Sequence, residues 1–188
     1  IAAKEFDGVV VAPNEVFSFY EIVGSATKEK GYQIATVFSG GKAVDGIGGG
    51  ICQVASTVYN AALYANLEIV ERHNHGLPVG YVKPSLDATV SSGVLDLKIR
   101  NTTGGYIYIR TNTANKQLTV DIYGEEKKYD VELTSNILNY IEPTVKKTFN
   151  ASLPAGTEKV VAKGSSGYKS EGYRIVKQNG EIIKKEKL

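Results

Sequence analysis

Methionine and tryptophan are absent from this 188-residue chain, cysteine occurs once and histidine twice. Each scarcity excludes something. A single cysteine cannot close an internal disulfide, and it cannot build a cysteine-only metal cage within one chain. The two histidines, His73 and His75, confine every imidazole to one short stretch. A formal net charge of +2 gives no basic field for nucleic acid. The lysines are scattered or set beside acids, and no basic helix or aromatic ladder accompanies them. No apolar run approaches the roughly 20 residues of a membrane-spanning helix, and no secretory leader opens the chain. With Ile1 at the start, the chain is expected to be an excised segment of a longer protein, so the missing leader carries no information about location. What remains is ordinary globular material, long enough for one large domain or two small ones.

The chain's lone cysteine sits in its most distinctive stretch, residues 46–66, GIGGGICQVASTVYNAALYAN. Ile51, Val54, Ala55, Val58, Ala62 and Ala65 fall at helical spacing, with Ser56, Thr57 and Asn60 on the other side. The glycines are poor helix formers, so they read as a tight turn feeding a helix N-terminus. Cys52 then lies in the first turn, among unpaired N–H groups at the positive end of the helix dipole. That setting favours thiolate over thiol and describes a nucleophile. Backbone N–H groups from Gly49 and Gly50 to Gln53 are candidates for an oxyanion hole. The competing reading is a small buried cysteine that only packs.

The second constellation is His73-Asn74-His75, after the strand-like LEIVER of residues 67–72. If the strand continues, both imidazoles face one side. Imidazole is poised near neutral pH to take a thiol proton, so His75 or His73 with Cys52 forms a candidate catalytic pair. Surface histidines at a strand end are the plain alternative. A metal site of Cys52, His73 and His75 lacks a visible fourth ligand. Asp87 and Asp96 are acids able to orient a histidine, though each also fits a turn or a solvated face.

The expected fold class is α+β. A mixed, mainly antiparallel sheet domain holds the central cysteine-bearing helix, and a small all-β module follows. Residues 2–6 read as a short helix stopped by Gly8, residues 16–20 as a strand, and Ser39-Gly40-Gly41 as a hairpin turn. YIYIRT and QLTVDIY, residues 106–111 and 117–123, alternate cleanly as a hairpin. The charged GEEKK at 124–128 reads as a linker. Beyond it come short β-prone runs between glycines, with no His or Cys. The domains are therefore expected at 1–124 and 125–188.

Several motifs resemble a known family. PNEVFSF at 13–19, GGGICQVASTVYNAAL at 48–63, ERHNH at 71–75, YV…DATV at 81–90 and DLKIRN at 96–101 resemble the VanW-domain family, in the right order. LPAGTEKVVAKGSSG at 153–167 and YRIVKQNGEI at 173–182 resemble the G-five domain. Two positions depart from the VanW pattern, with Gly76 and Ser85 where a Ser and a Gly are expected. The resemblance implies an extracellular cell-envelope protein of a Gram-positive bacterium, with L,D-transpeptidase activity on the Cys of GGGxCQ. It carries the nucleophile onto Cys52 and the histidine of ERxxH onto His75, with Arg72 in the arginine position. It implies that the tail binds wall glycan, and that the full-length protein is membrane-anchored outside this segment.

Residues and resemblance together predict a peptidoglycan L,D-transpeptidase that needs no metal or cofactor. Its partners would be stem peptides and glycan, with no nucleic acid. Cys52 is the expected nucleophile, His75 the base with His73 as the other candidate, and Gly49, Gly50 and Gln53 the oxyanion donors. Arg72 is expected either to clamp a substrate carboxylate or to form a strand-end salt bridge. Two rivals use the same sequence: a non-catalytic wall-binding protein, and a cysteine peptidase with water as acceptor.

Overall fold

A computed structural model of the chain describes residues 1–39 and 42–188. Gly40 and Gly41 of the expected hairpin turn lie outside the described residues. The elements run α1 (Ala2–Phe6), β1 (Val9–Val11), β2 (Val16–Ser18), α2 (Phe19–Val23), β3 (Ile34–Ser39), β4 (Lys42–Ile47), α3 (Ile51–Tyr64) and β5 (Glu68–Glu71). They continue with β6 (Lys98–Arg100), β7 (Ile107–Ala114), β8 (Gln117–Tyr123), β9 (Asp130–Ile141), β10 (Gly167–Gln178) and β11 (Glu181–Lys187). All pairings are antiparallel, in the orders β1-β7-β8, β2-β6-β5, β3-β4 and β11-β10-β9. This is the expected α+β class, with the all-β part at the C-terminal end.

Helix α3 forms because its buried residues repeat at three and four. Ala55, Val58, Tyr59, Ala62 and Leu63 are all buried. They pack with Phe6, Phe19, Leu67, Leu97 and Ile99 into the core of residues 1–123. Full burial of a side chain the size of Val58 or Leu63 contributes about 1.5–3 kcal/mol relative to leaving it exposed. The Tyr106–Tyr123 stretch forms the expected hairpin, with Ile107 and Ile109 inward and Tyr108 outward.

Three local readings differ from the fold. The expected strand over residues 16–20 stops at Ser18, whose hydroxyl accepts from the Glu21 N–H at 3.0 Å and starts α2. Ser18 and Glu21 stand at capping-box spacing, a helix signal that outweighs the aromatic run. The strand entering the histidine stretch also ends early. β5 stops at Glu71, after a register shift between Ile69 and Glu71, so His73 and His75 lie beyond it and do not share a strand face. In the tail, not all of the expected short β-prone runs are strands, and residues 146–149 and 158–162 form none. The two twelve-residue strands β9 and β10 pair along most of their length instead.

The face of α3 opposite the core is not simply solvated. Ser56 is buried, and its hydroxyl donates to Ala88 O at 3.1 Å while accepting from Ala88 N–H at 2.9 Å. Asn60 Nδ2 donates to Leu86 O at 2.7 Å. These two side chains fasten the 86–88 backbone to the helix, and Asp87 stands between the fastened points.

Candidate functional site

The glycine turn places Cys52. Gly50 takes φ +89° as the left-handed N-cap residue of α3, a conformation an L side chain rarely adopts. At Gly49 a β-carbon would come within 2.5 Å of Ala35 Cβ, so strand β3 could not lie this close to any larger residue. The Val54 N–H bonds to Gly50 O at 3.2 Å. The N–H groups of Cys52 and Gln53 precede it, among the first-turn donors that lack an intrahelical acceptor. Cys52 is half-buried. Its Sγ lies 3.5 Å from Thr89 Oγ1 and 3.6 Å from Val90 O.

The second and third groups come from loops. His75 is nearly enclosed, its side chain 5% exposed. Asp87 Oδ2 accepts from the His75 backbone N–H at 2.6 Å and pairs with its Nδ1 at 2.7 Å. A carboxylate only accepts, so the proton sits on Nδ1 and the other ring nitrogen faces the chemistry. Nε2 lies 3.2 Å from the Tyr81 hydroxyl, and the imidazole is a hydrogen-bond partner of Cys52. Burial pushes the Tyr81 phenol up to about 12, so it remains protonated at neutral pH.

The electrostatics favour a charge-separated pair. Burial by itself pushes the Cys52 thiol up, but hydrogen bonds from His75 and Thr89 outweigh it and hold the thiol below its ordinary range. Burial likewise disfavours the imidazolium, yet the bonds to Asp87 and Cys52 raise His75 to about 9. Burial pushes the Asp87 carboxyl up as well, and the His75 contacts and Arg72 bring it below its usual value. Both shifts favour the charge-separated pair, thiolate with imidazolium, beside the Asp87 carboxylate.

A stability profile follows with a definite sign. His75 rises from an ordinary 6.5 to about 9 on folding. Its contribution is complete below the unfolded value and is lost as pH climbs through the folded one. The melting temperature is expected to fall between pH 6.5 and 9, and to fall less in His75→Asn. Identical slopes in calorimetry of the two proteins would refute this.

The other sequence-predicted residues have separate placements. His73 does not join Cys52. Its ring is 40% exposed, and Nε2 lies 3.1 Å from Glu71 Oε1, in a surface cluster with Lys98. Arg72 points inward. Its Nε donates to Asp87 O at 2.7 Å, and one terminal nitrogen donates to Ser85 O at 3.0 Å and Asp87 Oδ1 at 3.1 Å. Its guanidinium carbon stands 5.3 Å over the Tyr59 ring. Gly49, Gly50 and Gln53 border a shallow hollow of about 460 Å³ together with Tyr32 and Lys116. Asp96 serves α2, accepting from Ser18 Oγ at 2.5 Å and Tyr20 N–H at 3.0 Å. Thr89 and Tyr81 were not anticipated as site residues. Both lie in the YV…DATV stretch, and nothing in their spacing alone marks them.

Comparison with known proteins finds two family matches along the chain. The family model described as VanW like protein matches residues 1–123, and the G5 (G-five) domain model matches residues 132–188. The uncharacterized protein YoaR of Bacillus subtilis is 42% identical over 126 residues, covering 67% of this chain and 42% of that protein. The vancomycin B-type resistance protein VanW of Enterococcus faecalis is 29% identical over 132 residues, covering 68% of this chain and 48% of that protein. The chain thus spans less than half the length of these curated relatives. No solved structure matches the chain.

Proposed function

The chain belongs to the VanW-like protein family, with a G5 domain after it, and from that premise we propose that it is a cell-wall-associated cysteine acyltransferase. Its reaction is L,D-transpeptidation of peptidoglycan stem peptides. The observation that carries this reading is the Cys52–His75–Asp87 line, with its lowered thiol and raised imidazole. The second match is to a G5 domain, and one relative is named for vancomycin resistance. Both support a place in the cell wall.

The Cys52 thiolate attacks the carbonyl of the diamino acid in a stem tetrapeptide. The developing oxyanion is met by the first-turn N–H groups of Cys52 and Gln53. The peptide C–N bond breaks, the leaving D-alanine amine takes the proton from His75 Nε2, and a thioester remains on Cys52. The side-chain amine of a second stem then attacks the thioester and gives its proton back to His75. The thiolate leaves and the crosslink is made. Asp87 keeps the imidazole in the orientation that both transfers need.

The test is mass spectrometry of the protein with disaccharide-tetrapeptide. The expected result is an acyl adduct on the Cys52-containing peptide together with crosslinked dimers. D-alanine release without dimers would make the protein a hydrolase. Neither adduct nor product, in this chain and in the full-length protein, would leave a wall-binding role in its place.

A further inference from the structure

Arg72 spends its guanidinium on Asp87 and Ser85, so recognition of substrate carboxylates needs other cations. A cleft of about 500 Å³ runs beside His75 and Asp87, and its far wall is the first part of β10, from the tail. We propose that this cleft is a peptide subsite built by both halves of the chain, in which Lys83 and Lys169 bind carboxylates of the stem that flank the reacting carbonyl. The proposal rests on the acyl-transfer reading above.

Three observations carry it. The first is charge. Arg72 and His75 neutralise Asp87, which leaves Lys83 and Lys169 as surplus cations on the walls, neither in a salt bridge among the described residues. The second is that the tail wall is fastened in place. Ser85 Oγ and Ser170 Oγ are 2.8 Å apart, Ser135 Oγ donates to Pro84 O at 2.6 Å, and the buried Arg174 donates to Leu67 O at 2.6 Å. Two of these bonds land on the loop that carries Asp87. The third is size and reach. A recess of this volume lies in the range of ligand sites and holds a few residues of peptide. Cys52 is not on its walls. An extended peptide advances roughly 3.3 Å per residue, so a carbonyl at the sulfur leaves its neighbours one or two residues away, past the imidazole. Tyr168 and the apolar Leu77, Pro78 and Ile141 supply the remaining surface for such a chain.

The experiment uses the full chain carrying Cys52→Ala, which separates binding from chemistry. Calorimetry is run with an alanyl–glutamyl–diamino acid–alanine tetrapeptide and with its fully carboxamidated counterpart. The free-acid peptide is expected to bind more tightly. Adding Lys83→Glu with Lys169→Glu should weaken that peptide about tenfold or more, as expected for lost charge-assisted bonds, and leave the amide unchanged. Replacing both lysines by arginine should preserve binding. Both positions are exposed, so circular dichroism should show an unaltered fold. An unchanged Kd, an equal loss for acid and amide, or no binding at millimolar peptide would overturn the proposal. So would binding of poly(glycerol phosphate) in place of the peptide, which would assign the lysines to an anionic wall polymer. Acylation of the wild-type protein is measured separately. If it occurs while binding ignores the lysines, the subsite falls and the catalytic reading stands. If binding follows the lysines and no acyl-enzyme forms, the reverse holds.

Discussion

Asp87→Asn is expected to lower acyl transfer about ten-thousand-fold, approaching the complete loss expected for Cys52→Ala. The size follows from what one oxygen does. Oδ2 receives both the backbone N–H and Nδ1 of His75, and Oδ1 receives Arg72. An asparagine has one acceptor oxygen and one donor nitrogen. If its oxygen takes the Oδ2 position, its amide N–H groups meet the Arg72 guanidinium, donor against donor. If its nitrogen takes that position, the backbone N–H of His75 loses its acceptor. The ring must then turn over its tautomer, and the neutral imidazole keeps its proton on Nε2, where the second step needs a base for the amine proton. Either arrangement also removes the charge that holds His75 near 9. A readout free of any substrate is the pH dependence of Cys52 alkylation by iodoacetamide. Its midpoint is expected below the ordinary thiol range in the wild type and should move up in Asp87→Asn. An unmoved midpoint would remove Asp87 from the site's electrostatics.

Arg72→Leu is expected to destabilise the fold by about 3–5 kcal/mol, the usual cost of breaking a buried ion pair from one side. The guanidinium makes three hydrogen bonds to the 85–87 segment, and its side chain is only 15% exposed. Leucine leaves two backbone carbonyls without these donors and the Asp87 carboxylate with less counter-charge. At roughly 2–4 °C per kcal/mol for a chain of this length, the melting temperature should drop on the order of 10 °C. Arg72→Lys should recover only part of the loss, because an ammonium cannot span the Ser85 carbonyl, the Asp87 carbonyl and the carboxylate as a planar fork does. A shift under about 2 °C for Arg72→Leu would show that the 85–87 loop is held by Ser56 and Asn60 without it.

These two residues show where reading from sequence reached its limit. Helix α3 was legible because its apolar spacing and its glycine turn are local signals, and so was the β7–β8 hairpin. Asp87 was legible only as one of two acids able to orient a histidine, since the choice depends on a loop fastened by Ser56 and Asn60 across separations of 32 and 26 positions. Arg72 read equally well as a substrate clamp because its sequence neighbours say nothing about the carbonyls it meets 13 and 15 positions away. The expected shared face of His73 and His75 rested on a strand that in fact ends at Glu71. The α2 cap was present in the sequence, and the aromatic run of PNEVFSF drew attention away from it.

The buried Arg174 has a consequence for how such a chain can be assembled in evolution. Its guanidinium is 2% exposed and spans Glu186 of its own module and Leu67 O of the other. The two family matches leave residues 124–131 between them, and no strand pairs across that joint among the described residues, yet Arg174, Ser170 and Ser135 tie the tail to Leu67, Ser85 and Pro84. A gene fusion that supplied a different tail at this joint would strip a hydrogen bond from the end of the α3–β5 connection and a wall from the cleft. A tail exchanged at this joint is therefore expected to cost stability unless it brings its own donor for Leu67 O.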